Sequence, residues 1–235
     1  MAYWALKIMM TPILRMMFRV HSEGTSNVPR HGAAILASNH QSFIDSIFLP
    51  LVVSRRVTFV AKAEYFASWR TAWFFRAVGM IPLKREGGSA SERALEAASE
   101  VLKSGGVLGI YPEGTRSPDG RLYRGHTGVA RLSINCGAPV IPVAQFGTAE
   151  VQPIGRMWPK PFRPVKVTMG EPLRWNGNGA RDAEAAGGDQ RHFTDQIMEA
   201  IQQLSGQDHV NVYARRDKGL LSAPGSEAEA VPATT

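Results

Sequence analysis

The sequence contains very little cysteine: Cys136 is the single one among 235 residues. One thiol cannot form a disulfide within the chain, and it cannot supply a zinc site built from several cysteines. A reducing compartment is therefore the easier fit. Cys136 lies in an apolar helical pattern, which favours a buried structural thiol over a reactive one.

The first twenty residues lack an uncharged run long enough to cross a bilayer. Their longest such run, residues 8–14, is far shorter than the roughly 20 apolar residues that a transmembrane helix needs. No small-residue cleavage site follows this run. We therefore predict neither a transmembrane helix nor a signal peptide here.

Three well-known catalytic motifs are also missing. Serine hydrolases carry a Gly-x-Ser-x-Gly nucleophile elbow, and none occurs in this chain. A metallohydrolase would need further ligands, such as His-Glu-x-x-His or a cysteine pair, and a nucleotide-binding enzyme would need a phosphate loop. These absences argue against all three classes, and we predict no metal and no cofactor.

Positive charge, by contrast, is in excess. The 27 Lys and Arg residues outnumber the 20 Asp and Glu residues, which gives a formal net charge of +7. Such a charge favours an anionic partner, which could be phospholipid headgroups, a phosphorylated substrate or nucleic acid. The chain is 44% hydrophobic and 20% charged, which is typical of one globular domain with a substantial core.

The N-terminal segment is apolar apart from a narrow polar stripe. Four side chains recur at every fourth position and carry three positive charges: Lys7, Thr11, Arg15 and Arg19. One interpretation is an amphipathic helix in the membrane interface, with Trp4 and Phe18 at headgroup depth and a kink at Pro12. The other is an ordinary helix docked on the core. The wide apolar face favours the membrane interface.

Six strand-like runs follow residue 31 and alternate with segments of helical patterning. They are GAAILAS, VTFVAK, MIPLKR, VLGIY, PVIPVAQF and VKVTM. This alternation predicts a single α/β domain with a mixed, largely parallel central sheet flanked by helices. We assign residues 1–25 to an amphipathic membrane-associating segment, residues 26–210 to the α/β domain and residues 211–235 to a flexible tail.

Two helices have the clearest signals. The first covers about residues 91–103, because Ser89 and Glu92 form a capping box and two glycines follow its end. The second carries four apolar side chains on one face, which is typical of core packing: Phe193, Ile197, Ile201 and Leu204. Residues 174–188, between these helices, are predicted to form a flexible loop.

The stretch NHQSFID directly follows the first strand-like run and places His40 and Asp45 five positions apart. In a regular helix, residues at this spacing differ by about 140° in azimuth. His40 must therefore precede the helix if it is to meet Asp45. A histidine oriented by a carboxylate has a fixed tautomer and can act as a general base. Alternatively, Asp45 is a solvated first-turn acid and His40 an ordinary turn residue.

Two further strand ends carry polar residues. In YPEGTRS, Glu113 can accept hydrogen bonds from substrate hydroxyls, Gly114 allows a tight turn, and Arg116 offers a fork that suits phosphate. In GMIPLKR, Lys84 and Arg85 end another strand. Because α/β proteins build their sites at the carboxyl ends of strands, we predict that these residues converge with His40 on one anionic substrate. The alternative is that each is a solvated loop charge.

Four blocks, NHQSFID, GMIPLKR, YPEGTRS and APVIPVA, resemble in this order those of the glycerolipid acyltransferase family, and closely its lysophosphatidic acid acyltransferase branch. The resemblance covers roughly residues 30–150. It implies that His40 and Asp45 are the catalytic pair. It also implies that the arginines contact the acceptor phosphate and that Glu113 and Gly114 bind its glycerol part. The full set of implied substrate-binding residues is Lys84, Arg85, Glu113, Gly114, Thr115 and Arg116.

The sequence departs from the family pattern at two positions. Tyr111 stands where the family usually has phenylalanine, and Pro82 stands where an aromatic or aliphatic residue is common. The first change is conservative. The second concerns the backbone that leads to Arg85.

The resemblance implies transfer of a fatty acyl chain from acyl-CoA or acyl-carrier protein to lysophosphatidic acid, which gives phosphatidic acid. A thioester is already activated, so the reaction needs a base, an oxyanion site and alignment of two substrates, but no protein nucleophile. Backbone amides near Gly114 or at the His40 turn are candidate oxyanion donors. We expect a peripheral protein on an anionic membrane surface at the cytoplasmic face, with no nucleic-acid partner.

Two alternatives remain open. The same chemistry can act on glycerol 3-phosphate or on another lysolipid. A non-enzymatic, basic membrane-binding module would explain the charge and the N-terminus, but it leaves NHQSFID and YPEGTRS without a role.

Two other segments combine aromatic side chains. EYFASWRTAWFF, with Trp69 and Trp73, is interpreted as core or, alternatively, as the lining of an acyl tunnel or a lipid contact. PIGRMWPKPFRP suits a membrane interface, the phosphates of coenzyme A, or a plain solvated loop. Its three basic and two aromatic side chains are Arg156, Lys160, Arg163, Trp158 and Phe162.

Overall fold

The computed structural model describes residues 2–61, 66, 69–77, 79–82, 89–176 and 183–214. Within these ranges the strands are β1 (His21–Glu23), β2 (Ala34–Ser38), β3 (Val57–Ala61), β4 (Met80–Pro82), β5 (Val107–Ile110), β6 (Leu122–Tyr123), β7 (Val140–Phe146), β8 (Lys166–Met169) and β9 (His209–Val210). The helices are α1 (Ala2–Met17), α2 (Asp45–Val52), α3 (Trp69–Ala77), α4 (Ala90–Lys103), α5 (Gly128–Cys136), α6 (Thr148–Val151) and α7 (Ala183–Ser205), with a 3₁₀ turn at Thr25–Asn27.

Seven strands form the central sheet in the order β1-β8-β7-β2-β5-β3-β4. The five strands from β7 to β4 run parallel, β8 is antiparallel to β7, and β1 runs parallel to β8. The short strands β6 and β9 pair separately. The predicted mixed, largely parallel sheet is confirmed, and its five parallel strands end at one carboxyl edge.

Strand β2 shows how the two layers of the core arise. All five of its side chains are buried, and the four apolar ones alternate between two clusters on opposite faces of the sheet. Leu36 packs with Phe48 of α2, whereas Ile35 packs with Phe193 and Ile197 of α7. Because successive strand residues point to opposite faces, a strand covered by helices on both sides reads as an unbroken apolar run.

The predicted helix signals are present. Helix α4 starts at Ala90, and Ser89 and Glu92 form both hydrogen bonds of the capping box. Helix α7 buries Phe193, Ile197 and Ile201, and Leu204 is half-buried. However, α7 begins at Ala183, so the loop prediction is wrong for residues 183–188. Three alanines and one glutamate, all good helix formers, outweigh two glycines there.

The N-terminal boundary of the α/β domain was placed too late in the sequence. Strand β1 belongs to the central sheet although it lies before residue 26. Phe18, which was predicted at headgroup depth, is 2% exposed and packs edge-on against Phe48 in the core. It follows the last residue of α1, so the helical periodicity does not determine its direction. Of the predicted tail, residues 211–235, the part from residue 215 onward lies outside the described residues.

Helix α1 combines features of both interpretations made from the sequence. Its Tyr3 is buried, and the Lys7 ammonium donates hydrogen bonds to the carbonyls of Val53 and Arg55. The helix is therefore docked on the protein body. Its other side exposes five large apolar side chains: Trp4, Ile8, Met9, Ile13 and Met16. None of the helices in the described ranges has the length and apolarity needed to cross a bilayer.

Helix α3 divides the aromatic segment between core and surface. Phe75 is buried with Ala72, while Trp69 and Trp73 are 77% and 61% exposed. The core interpretation therefore holds for one side of α3 only. Residues 64, 65, 67 and 68 of this aromatic segment lie outside the described residues.

Candidate active site

The predicted residues gather at the carboxyl edge of the sheet. Strand β2 lies between β5 and β7, so the turn after β2 adjoins the turn after β5. The amide of Ser117 donates a hydrogen bond of 2.7 Å to the carbonyl of His40, which joins the two turns directly. The NHQSFID and YPEGTRS segments therefore form one site.

His40 and Asp45 meet as their spacing requires. Helix α2 starts at Asp45, so His40 lies outside the helix, and its Nδ1 is 2.9 Å from Asp45 Oδ2. The same carboxylate oxygen accepts hydrogen bonds from the amides of Gln41 and Ser42, both at 2.8 Å. Asp45 is fully buried, whereas the His40 side chain keeps 16% of its exposure. The carboxylate thus shapes the turn, holds a proton on Nδ1 and leaves Nε2 to accept one.

Tyr111 supports the imidazole from one face. Its ring stacks on His40 with a centroid distance of 3.8 Å and an interplanar angle of 10°. Its hydroxyl is 2.8 Å from the hydroxyl of Ser46 in α2, and burial raises the pKa of Tyr111 well above its usual range. The hydroxyl that distinguishes Tyr111 from the family's usual phenylalanine therefore has a buried partner.

Glu113 has a role that the sequence did not predict. Its two carboxylate oxygens accept hydrogen bonds from the amides of His40 and Tyr123, at 3.0 and 2.9 Å, and the residue is 1% exposed. Burial raises the pKa of Glu113 to about 7, against the lowering effect of these two bonds. The carboxylate cross-links the turn after β2 to strand β6. Its contact with substrate hydroxyls stays a prediction.

The middle of YPEGTRS, from Gly114 to Arg116, lies closer to the surface than Glu113. Gly114 has a positive φ of 72°, and a Cβ at this position would lie 3.0 Å from the His126 ring, so both the backbone and the space favour glycine. Thr115 is half-buried and Arg116 is exposed. Lys84 and Arg85 lie outside the described residues, although β4 brings the chain to the carboxyl edge at Pro82. Their convergence on the site stays a prediction.

A buried polar network beneath His40 was missed in the sequence. The Asn39 side chain donates to the carbonyl of Gln145 and to the side chain of Gln207, and its own oxygen accepts from the Gln145 amide at 2.8 Å. These bonds fasten the end of β2 to the end of β7 and to the segment after α7. The asparagine next to His40 was a visible signal, but nothing in the sequence indicated Gln207.

The described side chains of the site have few metal ligands among them. Within the described ranges, no group of three His, Cys, Asp or Glu side chains is placed to hold a metal ion. The donor set at the site consists of one imidazole, two buried carboxylates that bind backbone amides, and one exposed guanidinium. Such a set suits proton transfer and anion binding.

Comparison with known proteins identifies the family. The Acyltransferase family model matches residues 19–145, which is more than half of the chain. The chloroplastic 1-acyl-sn-glycerol-3-phosphate acyltransferase LPAT1 of Arabidopsis thaliana is 31% identical over 157 residues, or 66% of this chain and 44% of that protein. The 1-acyl-sn-glycerol-3-phosphate acyltransferase of Bacillus subtilis is 28% identical over 72% of this chain and 79% of its own length.

A solved structure supports the same assignment. The crystal structure of the 1-acyl-sn-glycerophosphate acyltransferase PlsC from Thermotoga maritima aligns with a TM-score of 0.63 and 28% identity, over 86% of this chain and 78% of that chain. The chain spans less than half the length of its chloroplast relatives. The matched region contains β1 to β7 with the His40–Asp45 pair and Glu113, and the chain therefore belongs to the acyltransferase family.

Proposed function

We propose that the protein transfers a fatty acyl chain from a thioester donor to the free hydroxyl of 1-acyl-sn-glycerol 3-phosphate, which gives phosphatidic acid. The observation that carries the proposal is the His40–Asp45 pair, which lies at the carboxyl edge of the sheet with Nε2 free of the carboxylate. The acceptor is inferred from the activities named for the relatives in Arabidopsis thaliana and Bacillus subtilis.

His40 acts as the base in this mechanism. As the acceptor oxygen attacks the thioester carbonyl, its proton moves to His40 Nε2, and Asp45 stabilises the imidazolium through Nδ1. A C–O bond forms, the C–S bond breaks, and the departing thiolate takes the proton from Nε2. Proton transfer of this kind contributes about 10² to 10⁴ in rate. No covalent enzyme intermediate is required.

The hydrogen bonds within the two turns limit which backbone amides can serve as oxyanion donors. The amides of His40, Gln41 and Ser42 donate to Glu113 or Asp45, and the Gly114 amide donates to the Tyr111 carbonyl. These four candidates are therefore already used. In the described part of the chain, the amides of Thr115 and Arg116 make no hydrogen bond. We infer that they supply the oxyanion donors.

The acceptor phosphate is assigned to the basic side chains of the same edge. Arg116 is exposed and lies next to Ser117, whose amide bonds to the His40 carbonyl. A guanidinium at this place can form a forked pair with phosphate while the glycerol hydroxyl reaches His40. Lys84 and Arg85 are assigned to the same phosphate on the family resemblance alone.

The protein is proposed to work as a peripheral protein at the cytoplasmic face of an anionic membrane. The support is the outer side of α1, where Ile8, Met9 and Met16 are 72%, 59% and 80% exposed. Large apolar side chains gathered on one helix face are characteristic of interfacial helices. The excess of positive charge favours anionic lipid.

An activity matrix tests the proposal. Purified protein is incubated with acyl-CoA or acyl-carrier protein as donor and with lysophosphatidic acid, glycerol 3-phosphate or a neutral lysolipid as acceptor. We expect thiol release to depend on lysophosphatidic acid, and the faster donor identifies the carrier. Transfer only to another acceptor would redirect the proposal within the same chemistry. Failure to transfer to any acceptor would instead favour the non-enzymatic membrane-binding module.

Point substitutions in α1 test the membrane location better than removal of the segment. Residues 17–20 contribute to the core through Phe18, so a deletion would also damage the fold. Replacing Ile8 and Met9 by serine should lower vesicle association and spare activity on a soluble short-chain acceptor. Equal loss of both would show that α1 serves only as a docked helix.

A further inference from the structure

The segment between β7 and β8 lies at the same edge of the sheet as His40. We call residues 152–165 the β7–β8 loop. Phe146, the last residue of β7, pairs with Lys166, the first residue of β8, so both ends of the connection are at the carboxyl edge. His21 also pairs with Lys166, which brings the chain after α1 to this place. The loop, α1 and the catalytic turn are therefore neighbours.

The β7–β8 loop exposes three large apolar side chains. Met157, Trp158 and Phe162 are 78%, 74% and 70% exposed. Single exposed apolar residues are common, but three within six positions, beside the exposed Met16 of α1, form a patch that water solvates poorly.

The loop backbone is held in an unfavourable conformation at this patch. Within the described residues, Arg19 and Phe162 are the two non-glycine residues with positive φ, at 43° and 63°. Both residues lie where the loop contacts the end of α1: the Phe162 amide donates to the Met17 carbonyl, and the Val165 amide donates to the Phe18 carbonyl. Left-handed backbone is disfavoured for residues such as phenylalanine, and such strain clusters at functional surfaces.

The loop is also ordered by side-chain bonds that reach the catalytic turn. Gln152 donates through its amide nitrogen to the carbonyls of Arg156 and Met157, at 3.2 and 2.9 Å. The buried hydroxyl of Ser42 donates to the Gln152 carbonyl at 2.7 Å. The apolar tip is thus fixed relative to His40, two residues before Ser42.

The charge of the loop has one sign. Arg156 and Arg163 are exposed, Lys160 is half-buried, and no Asp or Glu occurs from residue 151 to residue 170. In the structure as described, none of these three cations forms an ion pair with a neighbouring side chain. Exposed apolar side chains between unpaired cations are complementary to an anionic lipid surface.

We propose that the β7–β8 loop is a second membrane-binding element, separate in sequence from α1. Met157, Trp158 and Phe162 enter the headgroup region of an anionic bilayer, and Arg156, Lys160 and Arg163 contact lipid phosphates. Together, α1 and the β7–β8 loop hold the carboxyl edge of the sheet against the membrane surface from which the acceptor comes. This inference rests on the proposed membrane location and does not depend on the acyl transfer.

Two variants of the apolar tip test the inference. Phe162→Asn removes the phenyl group but keeps a residue that adopts positive φ readily, so the fold should be at least as stable by thermal unfolding. Trp158→Ser removes the indole. With vesicles of phosphatidylcholine and phosphatidylglycerol, we expect the pair of substitutions to weaken co-sedimentation at least about five-fold. Trp158→Phe with Phe162→Leu should largely restore binding. Unchanged binding of the polar variant would overturn the inference.

Arginine substitutions test the charge contribution. Arg156→Gln with Arg163→Gln should weaken binding to the anionic vesicles several-fold and have little effect on pure phosphatidylcholine. The matched control is Arg30→Gln with Arg174→Gln, which removes the same charge from exposed positions near the starts of β2 and β7, at the opposite edge of the sheet. If both pairs of substitutions weakened vesicle binding equally, the effect would be due to net charge alone. That outcome would contradict a specific lipid-binding surface on the loop.

Three outcomes separate this inference from the proposed function. If the loop variants bind normally but the Ile8 and Met9 variant does not, α1 alone docks the protein and the inference fails. If substitution of Arg156 and Arg163 changes only the KM for acyl-CoA, the loop binds the acyl donor, and this outcome also contradicts the inference. Vesicle binding that depends on the loop would stand even if no acceptor were acylated.

Discussion

The His40 turn and the surface made by α1 and the β7–β8 loop occupy the same edge of the sheet but are built in opposite ways. In the turn, polar groups are buried and most of their atoms are paired: Asp45 and Glu113 between them accept four backbone hydrogen bonds and one from His40. On the surface, apolar side chains such as Met16 and Phe162 are exposed. A lysolipid acceptor has a polar head and an apolar tail, so an enzyme that acts on it benefits from both.

The largest expected effect concerns the turn alone. His40→Ala removes the base and should lower acyl transfer by about 10³-fold or more, while vesicle binding stays unchanged. The fold loses the stacking on Tyr111 and the hydrogen bond from Nδ1 to Asp45, while the backbone bonds of the turn remain. The control is His31→Ala, an exposed histidine before β2, which should remain active. Full turnover by the His40 variant would refute the mechanism.

Asp45→Asn tests whether the carboxylate does more than shape the turn. The amide oxygen can still accept bonds from the amides of Gln41 and Ser42, but the charge that stabilises the imidazolium is gone. We expect activity to fall on the order of 10²-fold. The amide nitrogen would also lie where Asp45 Oδ1 is buried without a partner in the described structure, which should cost about 1–3 kcal/mol in unfolding free energy. Chemical denaturation and initial rates separate the two effects.

Glu113 provides a stability signal that depends on pH. Its folded pKa of about 7 lies above the ordinary value of 4.5, so the folded state holds the proton more strongly. The contribution of this group to the unfolding free energy is therefore full below pH 4.5 and is lost as pH rises through about 7, by up to about 3 kcal/mol.

Glu113→Gln removes this dependence. The difference in unfolding free energy between the original protein and the variant should shrink between pH 4.5 and pH 7 in urea titrations. The exposed Glu171→Gln changes the charge equally and serves as the control. A constant difference across this range would show that folding leaves the pKa of Glu113 unchanged, which would contradict the expected titration.

The smallest effect concerns the Tyr111–Ser46 contact. Ser46→Ala leaves the buried tyrosine hydroxyl without this partner and should cost about 1–3 kcal/mol, whereas Tyr111→Phe should cost less. In the double variant both hydroxyls are gone, so the two losses should not add, with a coupling of about 1 kcal/mol. Acyl transfer should change only a few-fold, because the ring stacking on His40 remains. Additive losses would mean that the hydroxyls do not interact.

Much of the fold was predictable from the sequence because local patterns dominate it. The six apolar runs became β2, β3, β4, β5, β7 and β8, and the capping box at Ser89 set the start of α4. Strands β1, β6 and β9 were missed, since two or three residues carry no measurable periodicity. The predicted orientation of the Phe18 side chain was wrong because Phe18 follows the end of α1, where helical spacing no longer applies.

The candidate site was predictable in its residue types and only partly in their contacts. The spacing of His40 and Asp45 required the histidine to precede the helix, which the structure shows. The contact of Glu113 with substrate stays a prediction, and the sequence did not indicate that this carboxylate binds the amides of His40 and Tyr123. A carboxylate beside a glycine turn reads identically in the sequence whether it points outward or inward.

The sequence by itself determined the family: a histidine and an aspartate five positions apart after a buried strand, followed by YPEGTRS, indicate it and predict which residue acts as the base. Only the tertiary structure decided which groups surround them. The Asn39 side chain donates a hydrogen bond to Gln207, 168 positions away in the sequence. The Phe162 amide donates to the carbonyl of Met17, the last residue of α1. Such contacts depend on how strands are ordered in the sheet, whereas sequence periodicity reports only which side of its own element a residue occupies.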